Sequence, residues 1–500
     1  MFKHRIKKYK DMKKTLFLVV STLFAVGLSA QSAIFPLYYS QYGMNGTASY
    51  IGKAGAIGAL GGDIMASHYN PAGLGLYRSS EFTFSLGVDA SSSAATLNDL
   101  KSTDSHPSFN YGNVGMVFDF NNGSKNPFRH IQLSFGINRL MNFNNSTQIV
   151  RNDVTSSFVY DNIEQRLIES YQNNISGLLQ DDWYRSGVID FDTTTNQISS
   201  YYDAGTFRQI RTIKESGYLN EFSMSLSTNI ENWLYLGATL GIPFGDYTSK
   251  QTFSEEITEN GEPTGDSYTY YQEQKLSAAG VNLKIGAIVR PVDWLRLGAA
   301  VHTPTWYDVD DDYYQNISER WSSGGWFNTF SYNMQSPWRF LASAAIILGS
   351  TKDKVQGTIS ADYEYADYSG MSLTLSDDPW TENTLNNTID ASFGGASTIR
   401  VGGELKYENL RARVGYASFG NPYQSKDINF AGWNYITCGL GYKGKNFSFD
   451  LAYAYGKCDG GKYYSYDVYD TSDNTWYSDT NPATIDTKKH LIQATIGFRF

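Results

Sequence analysis

Apolar and polar residues alternate along much of this chain. Within 130–146, Ile131, Leu133, Phe135 and Ile137 oppose Gln132, Ser134, Gly136 and Asn138. Within 233–248, Leu234, Leu236, Ala238, Leu240 and Ile242 share one parity. At the C-terminus Ile492, Ala494, Ile496, Phe498 and Phe500 oppose Gln493, Thr495, Gly497 and Arg499. A period of two belongs to strands with one apolar face. Fourteen strands are predicted at 81–90, 109–120, 130–146, 207–230, 233–248, 269–290, 293–303, 336–349, 354–367, 397–408, 409–419, 431–443, 445–457 and 488–500. Connections after even-numbered strands are short and those after odd-numbered strands are mostly long. Short periplasmic turns and long external loops give that asymmetry in a transmembrane antiparallel β-barrel, where about ten tilted residues cross the membrane. The predicted class is therefore all-β, with both termini on the periplasmic side.

Side-chain parity also predicts register, because a slip of one residue flips every face. A two-residue turn at Glu408-Asn409 pairs Tyr407 with Leu410, Glu404 with Arg413, and Lys406 with Arg411. A turn at Gly444-Lys445 pairs Lys443 with Asn446 and sets Cys438 opposite Leu451. Cys438 then faces lipid and Cys458 faces inward, roughly 20 Å apart at about 3.3 Å per residue, beyond disulfide reach. Two free thiols are predicted.

Residues 1–30 read as a secretory signal: Lys13 and Lys14, an apolar run over 16–27, and Leu28-Ser29-Ala30 before Gln31. Met12, after the charged leader 2–11, is an alternative start. The rest has no apolar run long enough for a membrane helix, and mean hydropathy is −0.39. The two together exclude helical spans but not a barrel, in which alternation averages hydropathy out. The 38 Tyr, 28 Phe and 10 Trp suit two interfacial girdles. Removing the signal takes the chain from 40 basic and 50 acidic residues to 33 and 49, a formal net charge of −16. No basic stripe marks a nucleic-acid partner.

The loops hold the remaining patterns. In 147–206, Ile163, Leu167, Tyr171, Ile175 and Leu178 recur at helical spacing. Their stripe either packs over the barrel mouth or forms one wall of a hydrophobic capture site. Loop 304–335 carries Trp306, Tyr307, Trp321, Trp326 and Phe327, which either line an apolar pocket or pack among themselves. Asp308, Asp310, Asp311 and Asp312 lack the Gly and Glu of an EF-hand, and no metal is predicted. Loop 457–487, rich in Tyr, Asp, Ser and Thr, reads as exposed and variable, and would suit a protein partner if the barrel serves one. The five His after the signal (His68, His106, His130, His302, His490) lack metal-ligand spacing, and no GxSxG occurs. No catalytic residue, enzymatic activity or cofactor is predicted, and His302 reads as an interfacial polar residue. Inward charges (Lys284, Arg296, Asp362, Glu364, Arg400, Glu404, Lys406, Arg411, Arg413) mix both signs, as in an ion-pair ladder rather than a one-signed pore.

Several segments carry a family resemblance: 58–63, the box Asn70-Pro71-Ala72-Gly73-Leu74, the run from Arg290 to Thr305, Asp362-Tyr363-Glu364-Tyr365, and the aromatic C-terminus. The chain resembles the FadL/TodX outer-membrane transport proteins for long-chain fatty acids and other hydrophobic compounds. The resemblance implies a 14-stranded barrel over 81–500, an N-terminal hatch over 31–80 plugging the lumen, capture by external loops, and lateral exit through a kink in the third strand. It implies that Asn70, Pro71, Ala72 and Gly73 form the gate against that kink. Gly136 is the predicted weak point of the third strand, since glycine weakens strands and marks bulges. The expected partners are a hydrophobic small molecule, outer-membrane lipid and the barrel assembly machinery, which reads aromatic C-termini. The alternative is a FadL-like barrel serving as a scaffold or shuttle in protein secretion (PorV-like).

Overall fold

The computed structural model describes residues 32–500 except 99, 124, 165–166, 168–174, 193, 196, 201, 203–204, 320–323, 350–352, 426–429, 464–466, 471–474 and 479–481. The signal expected over 1–30 lies outside the described residues. Fourteen strands form the wall: β1 (Glu81–Leu97), β2 (Leu100–Asn121), β3 (Phe128–Asn142), β4 (Thr206–Ile230), β5 (Leu234–Glu259), β6 (Glu262–Val292), β7 (Leu295–His302), β8 (Arg339–Leu348), β9 (Val355–Asp367), β10 (Gly395–Tyr407), β11 (Leu410–Phe419), β12 (Asn434–Lys443), β13 (Phe447–Tyr463) and β14 (Ala483–Arg499). Each pairs antiparallel with the next, and β14 closes on β1 from Glu81↔Arg499 to Thr96↔Thr484. Closure removes the two end-strand edges an open sheet would have.

Alternation fixes the two faces. Leu236, Leu240, Ile242, Val281, Leu283, Ile285, Val401 and Leu405 are exposed on the outside, while Ser223, Ser225, Thr239, Asn282 and Arg400 are buried inside. Exposed Trp233, Trp294, Tyr407, Tyr442 and Phe500 ring the end with the short turns, and Trp306 and Trp338 mark the other. These are the apolar belt and aromatic girdles of a membrane barrel.

The β10–β11 register agrees with parity: Tyr407↔Leu410, Glu404↔Arg413 and Lys406↔Arg411. The β12–β13 register differs by two residues. The Gly444 N–H donates to the Phe447 carbonyl at 2.8 Å, so Lys443 pairs with Ser448 and Cys438 with Tyr453. A two-residue slip preserves faces, so Cys438 stays outside and Cys458 stays inside, and no disulfide joins them.

The long external connections are less irregular than predicted. β4, β5 and β6 run for 25, 26 and 31 residues, well past the belt. β1 and β2 meet at Leu97↔Leu100. Residues 304–335 form mainly a hairpin, Trp306–Ser318 with Trp326–Gln335. Residues 147–206 begin in the strand Asn145–Val154, which pairs with β4. In these extensions aromatic side chains turn inward and polar ones outward, so the alternation continues without lipid on either side.

Residues 32–77 are almost wholly buried inside the wall. Short helices Phe35–Ser40, Ala48–Ile51 and Ala66–Tyr69 and the 3₁₀ turn Pro71–Leu76 build this plug. Thr47 caps the second helix by accepting from the Tyr50 N–H, and its hydroxyl donates to Asp63 at 2.8 Å. Above the plug's centre, Phe35, Leu37 and Tyr39 pack with Leu140, Phe143, Leu219, Tyr247, Leu276, Tyr307 and Met334 in one apolar layer.

Candidate functional site

The plug reaches the wall where the wall lacks side chains. Three cross-strand glycine pairs face inward: Gly115↔Gly136, Gly237↔Gly286 and Gly402↔Gly415. A Cβ on Gly115 would lie 2.3 Å from Ile64 Cδ1, and one on Gly237 would lie 2.4 Å from the Pro71 carbonyl carbon. On Gly286 it would lie 2.0 Å from Asn70 Oδ1, and on Gly415 2.5 Å from the Lys53 carbonyl carbon. Glycine is needed wherever another backbone approaches a strand this closely.

The Asn-Pro-Ala box sits on the second of these flats. Asn70 Nδ2 donates to Gly58 O at 2.7 Å and to Ala287 O at 3.3 Å, while Oδ1 accepts from the Ala72 N–H at 3.2 Å. Pro71 occupies the first position of the 3₁₀ turn, where a missing N–H costs nothing. Ala72 packs with Tyr235 and Ile288. Gly73 lies against Gly61 and Ala66. The box therefore rests chiefly on β5 and β6, not against the third strand as the resemblance implied.

The third strand does leave the wall, at a different residue from the predicted one. Gly136 lies in an unbroken β2–β3 ladder running from Asn121↔His130 to Asn113↔Asn138. It is a flat for the plug rather than a weak point. Beyond Asn138 the ladder ends. β2 bulges at Gly112, between the pairs Ser85↔Asn113 and Leu86↔Tyr111. β3 shifts register against β4 between Arg139 and Met141. The chain then steps inward, and the Asn142 and Asn145 side chains bond lumen-facing Asp89 and Ser91 at 3.1 and 2.6 Å. The wall is thus split between β2 and β3.

Plug residues 43–46 seal this split from inside. Leu140 O, without a strand partner across the gap, accepts from Gly43 N–H at 2.8 Å and from Asn45 Nδ2 at 3.3 Å. From the β2 side, Asn110 Nδ2 donates to Asn45 Oδ1 at 2.9 Å. A Cβ on bulged Gly112 would lie 2.0 Å from Gly46 O. Leu140 and Phe143, at the lip, belong to the apolar layer above the plug, so that layer extends to the opening.

Buried charges fasten the plug. His68 Nδ1 lies 2.9 Å from Glu221 Oε1, and Glu221 also pairs with Lys284. His302 Nε2–H donates to Tyr69 O at 2.9 Å, which makes His302 an interior anchor rather than an interfacial residue. Glu364 joins Arg339 and Arg400 at 2.5 and 2.8 Å, and Arg339 also reaches Ser40 O. Arg413 joins Glu404 and Asp450, both at 2.6 Å. These clusters mix both signs, as expected of the interior charges, but as three-membered groups rather than simple pairs. Glu221, His68 and Arg339 escaped the sequence reading. Glu221 continues the inward stripe Ser223, Ser225, Ser227, and that phase marks it as interior.

The capture residues do not converge. Trp306, Trp326 and Phe327 are exposed, whereas Tyr307 is 2% exposed and its hydroxyl donates to Tyr39 O at 3.2 Å. Trp306 borders an outer groove of about 430 Å³ with Val281, Asp308 and Met334. Ile163 and Leu167 are buried with Trp183, Tyr202, Phe253, Tyr268 and Ile317, so their stripe packs over the strand extensions. Tyr171 and Trp321 lie outside the described residues.

A closed 14-stranded barrel with an apolar belt, an internal plug and a plug-sealed split defines a membrane barrel of the outer-membrane type. Among solved structures, a FadL homologue of Pseudomonas aeruginosa is similar at 11% identity and TM-score 0.55, over 92% of this chain and 100% of that one. The P. putida toluene transporter TodX is similar at 12% identity and TM-score 0.50, over 92% and 99%. The likeness to FadL/TodX barrels holds at the level of fold. No protein-family model and no curated protein matches the chain significantly.

Proposed function

We propose that this barrel is a passive outer-membrane route for long-chain fatty acids or other hydrophobic small molecules, which leave sideways through the β2–β3 split into the membrane. The observation that carries this reading is the rung missing beyond Asn113↔Asn138, filled by residues 43–46 of the plug and bordered by the apolar layer. Its structural neighbours include a FadL homologue and a transporter of toluene, a hydrophobic small molecule. Each CH₂ of an acyl chain gains about 0.8 kcal/mol in the membrane core, so exit into lipid is downhill. Exposed Trp306, Trp326 and Phe327 offer first contact outside.

The test is uptake of labelled palmitate and toluene by intact cells with and without the gene. An Asn45→Cys/Asn110→Cys pair ties residues 43–46 to β2. Gene-dependent uptake that stops when the pair is oxidised and returns on reduction is expected. Uptake indifferent to the gene or to the tether refutes the proposal.

A further inference from the structure

On the outer face of the same split, a cation stands where parity calls for an apolar residue. Ile131, Leu133, Phe135 and Ile137 of β3 turn toward lipid, and Arg139 is next in that phase. Its guanidinium lies 4.4 Å from the Tyr111 ring centre on β2 and 5.0 Å from that of Tyr218 on β4. The three side chains span the split from outside. Two ring faces steady the positive charge, but they accept none of its directed N–H bonds. No carboxylate among the described residues pairs with Arg139, and Nε is buried without a hydrogen-bond partner.

The next residue over has the matching lack. Asn220 pairs with Arg139 across the β3–β4 ladder and is only 4% exposed. Its side chain bonds the Tyr111 hydroxyl, yet its Oδ1 is buried with no donor. Unfilled donors beside an unfilled acceptor suit an oxyacid, whose oxygens accept from the guanidinium and whose O–H, in the protonated form, donates to the amide oxygen. Carboxyl and phosphate groups are of that kind, and a guanidinium takes either in a forked pair of bonds.

We propose that Arg139, Asn220, Tyr111 and Tyr218 form a headgroup site on the lipid side of the split, which holds the carboxyl of a departing acid while its chain passes into the membrane. The site rests on the lateral-exit reading for its cargo, although its anion chemistry does not. A phosphate of an outer-leaflet lipid would use the same donors, so the experiment separates the two sources.

Purified barrel in vesicles of zwitterionic lipid is titrated with labelled palmitate and with methyl palmitate, and phosphorylated glycolipid retained through purification is measured. Heat-modifiable gel mobility confirms that each variant is folded. Arg139→Gln is expected to weaken palmitate binding about tenfold, the loss of one charge-assisted pair, and to leave methyl palmitate unchanged. Arg139→Lys is expected to fall between, and Tyr218→Phe, which keeps the ring, to match the wild type. Loss of retained glycolipid with unchanged palmitate binding overturns the carboxyl assignment in favour of lipid phosphate. Equal losses for acid and ester, or no change in any readout, overturn the site. Palmitate binding that depends on Arg139, in cells whose uptake does not depend on the gene, leaves the site standing and sinks the transport reading instead.

Discussion

Asn45→Ala isolates the inner seal of the split. Asn45 is 5% exposed and bridges the two separated strands, donating to Leu140 O and accepting from Asn110 Nδ2. Truncation removes both bonds and strands the Asn110 amide, itself 1% exposed. A buried donor left without a partner costs about 1–3 kcal/mol, and a net hydrogen bond about 0.5–1.5 kcal/mol. Leu140 O keeps its bond from Gly43, which limits the expected loss to about 2–3 kcal/mol. At 1.4 kcal/mol per decade, residues 43–46 open about 30- to 140-fold more often. Hydrogen exchange of the Gly43 amide in the folded barrel reads this directly. The Gly62 amide, bonded to Gly73 O at 3.0 Å elsewhere in the plug, is the internal control. Unchanged exchange at Gly43, or equal acceleration at Gly62, would refute the idea that these residues are a local seal.

Three further outcomes are expected. Gly286→Leu drives a side chain into Asn70, an overpacking cost of about 1–3 kcal/mol, and should speed exchange at Ala72 and Gly73, whereas Gly403→Ala, with only Thr358 O at 3.7 Å, should be silent. Glu221→Gln leaves Lys284 buried without its counter-charge and should cost about 3–5 kcal/mol in urea unfolding, most of it regained in Glu221→Gln/Lys284→Met; additive effects would contradict the coupling. Asp311, in the outer hairpin beyond the belt, bonds Gln274 and Tyr332, and burial pushes its carboxyl up to about 7. Because the folded value is the higher one, its contribution is full below the ordinary aspartate range and lost as pH rises through about 7. The protection factors of Trp306–Ser318, exchange rates divided out by the intrinsic pH dependence, should therefore fall between pH 5 and pH 8 in the wild type, and Asp311→Asn should flatten that response.

Much of the wall was legible because lipid on one side and a polar interior on the other enforce a strict alternation. Fourteen strands and the β10–β11 register follow from parity alone. Turn length does not, since parity is blind to a slip of two, and Lys443 accordingly pairs with Ser448 rather than Asn446. Apart from that of β4, the outer extensions were read as loops because there the aromatic phase turns inward and the outward face turns polar, the reverse of the belt. The position of the split was hidden in Gly112 and in the shift at Arg139, features set by the plug rather than by the strands. Arg139 itself was visible as a charge in the apolar phase of β3, a signal that interior-charge reasoning passes over.

The three glycine flats have a consequence for how this protein tolerates change. Gly115, Gly237, Gly286, Gly402 and Gly415 and the plug atoms that lie against them, backbone and side chain, form one fitted surface divided between distant parts of the chain. A side chain added at Gly237 displaces Pro71, and one added at Gly402 displaces Lys53, 2.5 Å from the new Cβ. Neither half has room to change alone, so enlargement on the wall requires withdrawal of the plug at the matching point. Variation should be concentrated on the lipid side, where a substitution meets no second segment of the chain.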